Sequence, residues 1–229
     1  MGFRVLLAGG TGQVGSALVD ALTETGSCSE VVMVNRRQAA LHTGAYPDSK
    51  VRQVVMDTGA ADFAQAVANL ARRVMAEGDP LYAASCIGIG QGSAQWSDED
   101  IRRLEVGVVG AFARGCRTAG VERFGLLSAA GSSARSMIRY ARIMGEKEDA
   151  LRGMGFRHLA MVRPGIIAGN VHTPGWVAAL GRLLPGPFGT IEQGDIARAF
   201  VDELRHGAEV ITILGNREIR DRSRAWSAA

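Results

Sequence analysis

Lysine is nearly missing from this chain. Of its 26 basic residues only Lys50 and Lys147 are lysines, and arginine supplies the rest. The arginines are scattered among 23 acidic residues, so the formal net charge is only +3. A nucleic-acid-binding surface needs its basic residues gathered on one stripe or patch, and none is gathered here. No nucleic-acid partner is expected. Cysteine is sparse as well: Cys28, Cys86 and Cys116 show no CxxC spacing, and His42, His158, His172 and His206 form no HxH or HxxxH pair. These spacings point to neither a zinc site nor a disulfide framework, so no metal is expected and a reducing compartment is implied. Long apolar runs are missing too. The first one is broken by Gly9 and Gly10, too early for a signal peptide, and no other could span a bilayer. Leu6 stands where a myristoylation signal needs Ser or Thr. No membrane partner is expected, and a cytoplasmic location follows by default. Nothing marks a partner protein or an oligomer interface.

What is present begins at residues 3 to 15, FRVLLAGGTGQVG. Val5, Leu6, Leu7 and Ala8 read as a buried strand that stops at a glycine cluster, and Val14, Leu18 and Leu22 then mark one face of a helix. Read from Gly10 the glycines spell GxGxxG, and from Gly9 they spell GxxGxxG. Bare backbone lets the chain turn sharply and approach a pyrophosphate, while Gly15 lets the helix pack close to the sheet. The helix N-terminus then offers unpaired N–H groups to the phosphates. A glycine triplet alone is a weak signal in a chain with 30 glycines, but its place between strand and helix is the confirming context. The stretch Gly9, Gly10, Thr11, Gly12, Gln13, Val14 and Gly15 is therefore assigned to the dinucleotide. No lysine follows the glycines, which excludes a P-loop.

The remainder alternates strand and helix. Glu30 to Val34 reads as the second strand and ends at Asn35, Arg36 and Arg37. A carboxylate there would grip the ribose 2′-hydroxyl of NAD; arginine instead suits a 2′-phosphate. NADP is expected in preference to NAD, against the plainer reading of two surface arginines. Val51 to Met56 reads as the third strand, with Asp57 at its end, placed to accept from the adenine amino group or to cap the helix beginning near Ala60. Leu81 to Ile87 is the fourth, running into the loop GIGQGS. Cys86, Ile87 and Gly88 would pass under the dinucleotide, and Cys86 reads as a small buried residue rather than a nucleophile. A long helix opens at Ser97 with Ile101, Leu104, Val108 and Phe112 inward, and residues 123 to 128 form a fifth strand. Regular βαβ crossovers imply a Rossmann-type doubly wound parallel sheet, of about seven strands in the order 3-2-1-4-5-6-7, in a single domain over 1–229.

LLAGGTGQVG, NRR, CIGIGQ, AGVERFGLLSAAG, Tyr140 with its helix, VRPG and GDIARAF together resemble the short-chain dehydrogenase/reductase superfamily, in its atypical branch around the Tat-interacting-protein-like oxidoreductases. The resemblance implies a serine, a tyrosine and a lysine, the last two in YxxxK. Tyrosine must pass a proton although its unperturbed pKa is about 10, and a lysine one turn later stabilises its phenolate. Ser128 and Tyr140 match, but Met144 stands at the lysine position. Lys147 is the nearest lysine, about 10 Å further along the helix axis than Tyr140. Ala129 replaces a second serine that the family usually carries. Tyr140, Ser128 and Lys147 are the catalytic candidates, although Met137, Tyr140, Met144 and Leu151 also read as an ordinary core stripe.

The resemblance places Pro164 beside the nicotinamide, and residues 166 to 192, with Trp176 and the apolar segment WVAALGRLL, on the substrate side. Phe156 to Val162 reads as a sixth strand, Asp195 as a helix cap, and Glu209 to Leu214 as the last strand. The arginine-rich tail after Gly215 reads as partly disordered. The expected activity is NADP-dependent hydride transfer to or from a small carbonyl or alcohol. The alternative is an NADP-binding sensor that kept the cleft and lost the relay.

Overall fold

β1 (Phe3–Ala8) is the central strand of the structure, a computed structural model that describes residues 2–39, 50–89, 95–168 and 186–226. Its apolar run serves two layers at once. Val5 and Leu7 join the core on one face of the sheet, and Leu6 and Ala8 join that on the other. Burial on both faces is why the strand reads as a continuous apolar run rather than an alternating one.

β1 pairs in parallel with β2 (Cys28–Asn35) on one side and with β4 (Leu81–Ser85) on the other. β3 (Val51–Val55) adds beyond β2, while β5 (Arg123–Leu127), β6 (His158–Val162) and β9 (Ile211–Leu214) extend the other half. The order is β3-β2-β1-β4-β5-β6-β9. This is the doubly wound sheet expected, except that its last strand is the ninth along the chain. β7 (Ile166–Ala168) and β8 (Thr190–Glu192) pair with each other in a separate two-stranded sheet.

Helices cover both faces. α1 (Gln13–Glu24), α6 (Gln193–His206) and α7 (Asn216–Ala225) bury Leu18, Leu22, Phe200, Leu204 and Ile219 against Val5, Leu7 and Met33. On the opposite face α2 (Phe63–Met75), α4 (Val109–Ala119) and α5 (Arg139–Arg152) bury Val67, Leu70, Phe112 and Leu151 against Leu6, Val32 and Phe124. α3 (Asp98–Arg102) continues into α4 through a π-helical turn at Arg103–Val108. Such turns carry one extra residue per hydrogen-bonded ring and recur at functional sites. The chain reverses direction of winding between β1 and β4. A crevice therefore opens at the carboxyl ends of these two strands, where doubly wound folds take their ligands.

Three local expectations are corrected. Residues 216–225 of the arginine-rich tail form α7: Glu218 accepts the Gly215 N–H at 3.0 Å, and Arg222 pairs with Asp202 at 3.1 Å and Glu203 at 2.9 Å. Asp195 is no cap, since α6 begins at Gln193 after Glu192, and Asp195 instead accepts from the Ser223 hydroxyl at 2.7 Å. Met137 leaves the supposed core stripe, being 94 % exposed and ahead of the first turn of α5. The segment WVAALGRLL with Trp176 lies outside the described residues.

Candidate functional site

The crevice is a cleft of about 390 Å³. Its floor is the turn between β1 and α1. Gly9 adopts φ +80, and a Cβ there would stand 2.5 Å from the backbone of Cys86 and Ile87. A Cβ on Gly15 would come within 2.0 Å of the Gly9 carbonyl oxygen, so helix and turn are in backbone contact. Gly12 is the N-cap of α1 and gives no side-chain hydrogen bond to the first turn, which also carries no acidic residue. The first turn of α1 thus brings no carboxylate of its own to the cleft. A pyrophosphate suits that place on charge and on space. Gly9, Thr11 and Gly12 line the cleft; Gly10, Gln13, Val14 and Gly15 are not among its lining residues.

One wall is the tip of β2. Val34, Asn35, Arg36, Arg37, Gln38 and Ala39 line it, and both arginines are exposed. Gln53 on β3 sets this segment. Its amide oxygen accepts from Asn35 Nδ2 at 2.8 Å and the Ala39 N–H at 3.0 Å, and its Nε2 donates to the Ala39 carbonyl at 2.9 Å. Gln53 was not legible as a site residue, being one polar residue in an edge strand. Asp57 is not part of the wall. Its carboxylate accepts the Gly59 N–H at 2.9 Å, and Thr58 lines the cleft in its place.

The opposite wall comes from the loop after β4 and from the π turn. Cys86, Ile87, Gly88, Leu104 and Val108 line it. Burial pushes the Cys86 thiol up to about 12, with the Lys147 charge offsetting only part of that, so it stays protonated and inert. Pro164 does not line the cleft; its carbonyl accepts the Ala130 N–H at 2.9 Å and fixes the turn after β5.

The three catalytic candidates do not meet as a triad. Tyr140 is half-buried in the first turn of α5, in an apolar cluster with Ile101, Ile143, Met144, Ile89, Val106 and Ala129. Burial first, and the Glu105 carboxylate second, hold its phenolic proton well above the usual range. Ser128 donates to Glu148 at 2.6 Å and lies 3.0 Å from the Ser132 hydroxyl. Arg163 holds both oxygens of that carboxylate, and the pairing raises the guanidinium above its usual range. Lys147 is 1 % exposed; its Nζ donates to Glu105 at 2.8 Å and to the Leu127 carbonyl at 2.9 Å. Among the described residues no hydrogen bond joins it to Tyr140. Glu105 was missed in the sequence, although the signal exists: a carboxylate between Leu104 and Val108 sits on the inward stripe of its helix.

A glycine turn at a helix N-terminus, a doubly wound sheet and a crevice at the crossover are together the parts of a dinucleotide-binding fold. The chain belongs to the NAD(P)H-binding family, whose model matches residues 9–207. Among curated proteins it is similar to "Protein fmp52, mitochondrial" of Aspergillus fumigatus, 28% identical, with 94% of this chain and 96% of that protein aligned. The namesake from Aspergillus niger is 30% identical over 83% of this chain and 78% of its own. Among solved structures, a short-chain dehydrogenase/reductase from Serratia marcescens superposes with a TM-score of 0.66 at 16% identity, covering 95% of this chain and 98% of that one. A UDP-glucose-4-epimerase from Stenotrophomonas maltophila with bound NAD reaches 0.69 at 19% identity, covering 93% and 77%. At such identities these structures speak for the fold. The relatives overturn the cytoplasmic expectation: they are named as mitochondrial proteins, and a default drawn from missing signals does not stand against them.

Proposed function

We propose that this protein is an NADP-dependent oxidoreductase acting on a small carbonyl or alcohol. The observation that carries the reading is the β2 tip, where Arg36 and Arg37 line the cleft and, among the described residues that line it, no carboxylate stands. A 2′-phosphate brings close to two negative charges, which a carboxylate would repel and guanidinium groups would pair. The turn from Gly9 to Gly15 would hold the pyrophosphate, and Ile87 and Gly88 would border the other half of the dinucleotide. When bound, the cofactor supplies or takes up the hydride. Tyr140 keeps its proton, so its part is that of a hydrogen-bond and proton donor to a carbonyl oxygen rather than of a phenolate base. Ser128, engaged by Glu148, would help position the substrate only by redirecting its hydroxyl.

A second reading is favoured by Met144, which fills the lysine position with an apolar side chain 1 % exposed. Under it the protein binds NADPH and reports on it without turnover. Titration with NADPH and NADH tests the shared part, and NADPH consumption over a panel of carbonyl compounds separates the two. Robust turnover that survives Tyr140→Phe would refute the assignment of the acid.

A further inference from the structure

Two buried charges meet at the wall that the loop after β4 and the π turn form together. Glu105 on the π turn is fully buried, and Oε2 takes the Lys147 ammonium at 2.8 Å while Oε1 takes the Ile89 N–H at 3.0 Å. Lys147, on the same helix as Tyr140, also holds the Leu127 carbonyl at the end of β5. The pair thus ties four segments together: the loop after β4, the π turn, β5 and α5. Taking two charges out of water is expensive, and apolar residues of the same volume often stabilise a fold equally well. The hydrogen bond to Ile89 suggests a more specific role. Ile87 and Gly88, immediately before it, line the cleft, as do Leu104 and Val108 on the turn that carries Glu105.

The sheet order says which half of a dinucleotide would lie there. With the pyrophosphate at the α1 N-terminus and one nucleoside extending to the β2 tip, the other half must run toward β4 and β5. We infer that Glu105 and Lys147 are positioning residues for the nicotinamide half of the cofactor, fixing the Ile87–Ile89 loop against the π turn. The inference rests on the dinucleotide reading of the cleft. Lys147 thus addresses not the phenol but the carboxylate that holds the loop. Unlike a merely stabilising ion pair, this arrangement distinguishes the two ends of the ligand.

The test is the double variant Glu105→Leu with Lys147→Met, which removes both charges together and leaves neither buried alone. Wild type and variant are titrated with NADPH and with adenosine 2′,5′-bisphosphate, which lacks the nicotinamide half, and fluorescence of bound NADPH is recorded. Loss of the Ile89 anchor is expected to weaken NADPH roughly tenfold. The bisphosphate should stay within about twofold, and bound NADPH should fluoresce more like the free cofactor. Equal changes for both ligands, or none, would overturn the inference while leaving the nucleotide reading intact. Wild-type protein that binds neither ligand overturns both. Should thermal unfolding show that the double variant does not fold, Glu105→Gln decides in its place. Its amide cannot accept from Lys147 and Ile89 together as the carboxylate does, so a smaller NADPH-selective loss is expected, and an unselective one refutes the inference.

Discussion

One helical turn separates Tyr140 from Met144, and the thioether occupies the same apolar cluster as the phenol ring. The place from which a lysine would stabilise a phenolate is thus filled by a side chain without charge. Met144→Lys should restore that charge where α5 already points it. An ammonium there that lowers the phenol pKa by one unit favours its phenolate by about 1.4 kcal/mol, about tenfold at the proton-transfer step. Turnover of NADPH with a carbonyl substrate should rise accordingly, while the melting temperature falls because a charge enters an apolar cluster. An unchanged rate in a folded variant would mean that the tyrosine does not face the reacting atoms.

Arg36→Ala combined with Arg37→Ala should raise the NADPH dissociation constant by about ten- to a hundredfold, the worth of charge-assisted hydrogen bonds. NADH should change little. Gln53→Leu breaks three hydrogen bonds that fix the same segment, so a several-fold loss for NADPH is expected. Isothermal titration of the two nucleotides checks both variants.

Gly15→Ala places a Cβ within 2.0 Å of the Gly9 carbonyl oxygen. The helix must then retreat from the turn, and overpacking of this kind costs about 1–3 kcal/mol. Lower thermal stability together with lost nucleotide binding is expected, and intact binding would show that the turn is not the phosphate cradle.

Alkali should loosen the fold earlier than the composition suggests. Burial raises Cys28 from 9.0 to about 11 and Cys86 from 9.0 to about 12. Above pH 9 an unfolded chain loses those protons while the folded one keeps them, so stability is complete below that pH and falls as pH rises through this window. Tyr140 acts in the same sense from a higher starting point. Denaturant midpoints measured from pH 8 to 11 should decline, and Cys28→Ala with Cys86→Ala should flatten the decline.

Much of this was written in the pattern of residues. β1 announced itself because a strand buried on both faces needs apolar residues at every position, and the glycines after it because nothing larger fits between turn and loop. Arg36 and Arg37 could be placed at the cleft once β2 was bounded. The Glu105–Lys147 pair could not, because its partners come from separate helices and a charge on an inward stripe reads as an error until its counter-charge is found. The π turn left no mark in hydropathy at all. α7 was hidden for a related reason: its anchor is Arg222 between Asp202 and Glu203, charge on charge, with only Ile219 buried among its large apolar residues. Ser128 was found by spacing, yet spacing could not show that Glu148, itself clamped by Arg163, takes its hydroxyl.

Direct titration of purified protein with NADPH and NADH, followed by calorimetry, bears most closely on the cleft. Saturable one-to-one binding of NADPH, at least about tenfold tighter than NADH, is the expected result, given two guanidinium groups for the 2′-phosphate. No binding of either nucleotide at millimolar concentration would contradict the assignment of the glycine turn and of everything arranged around it.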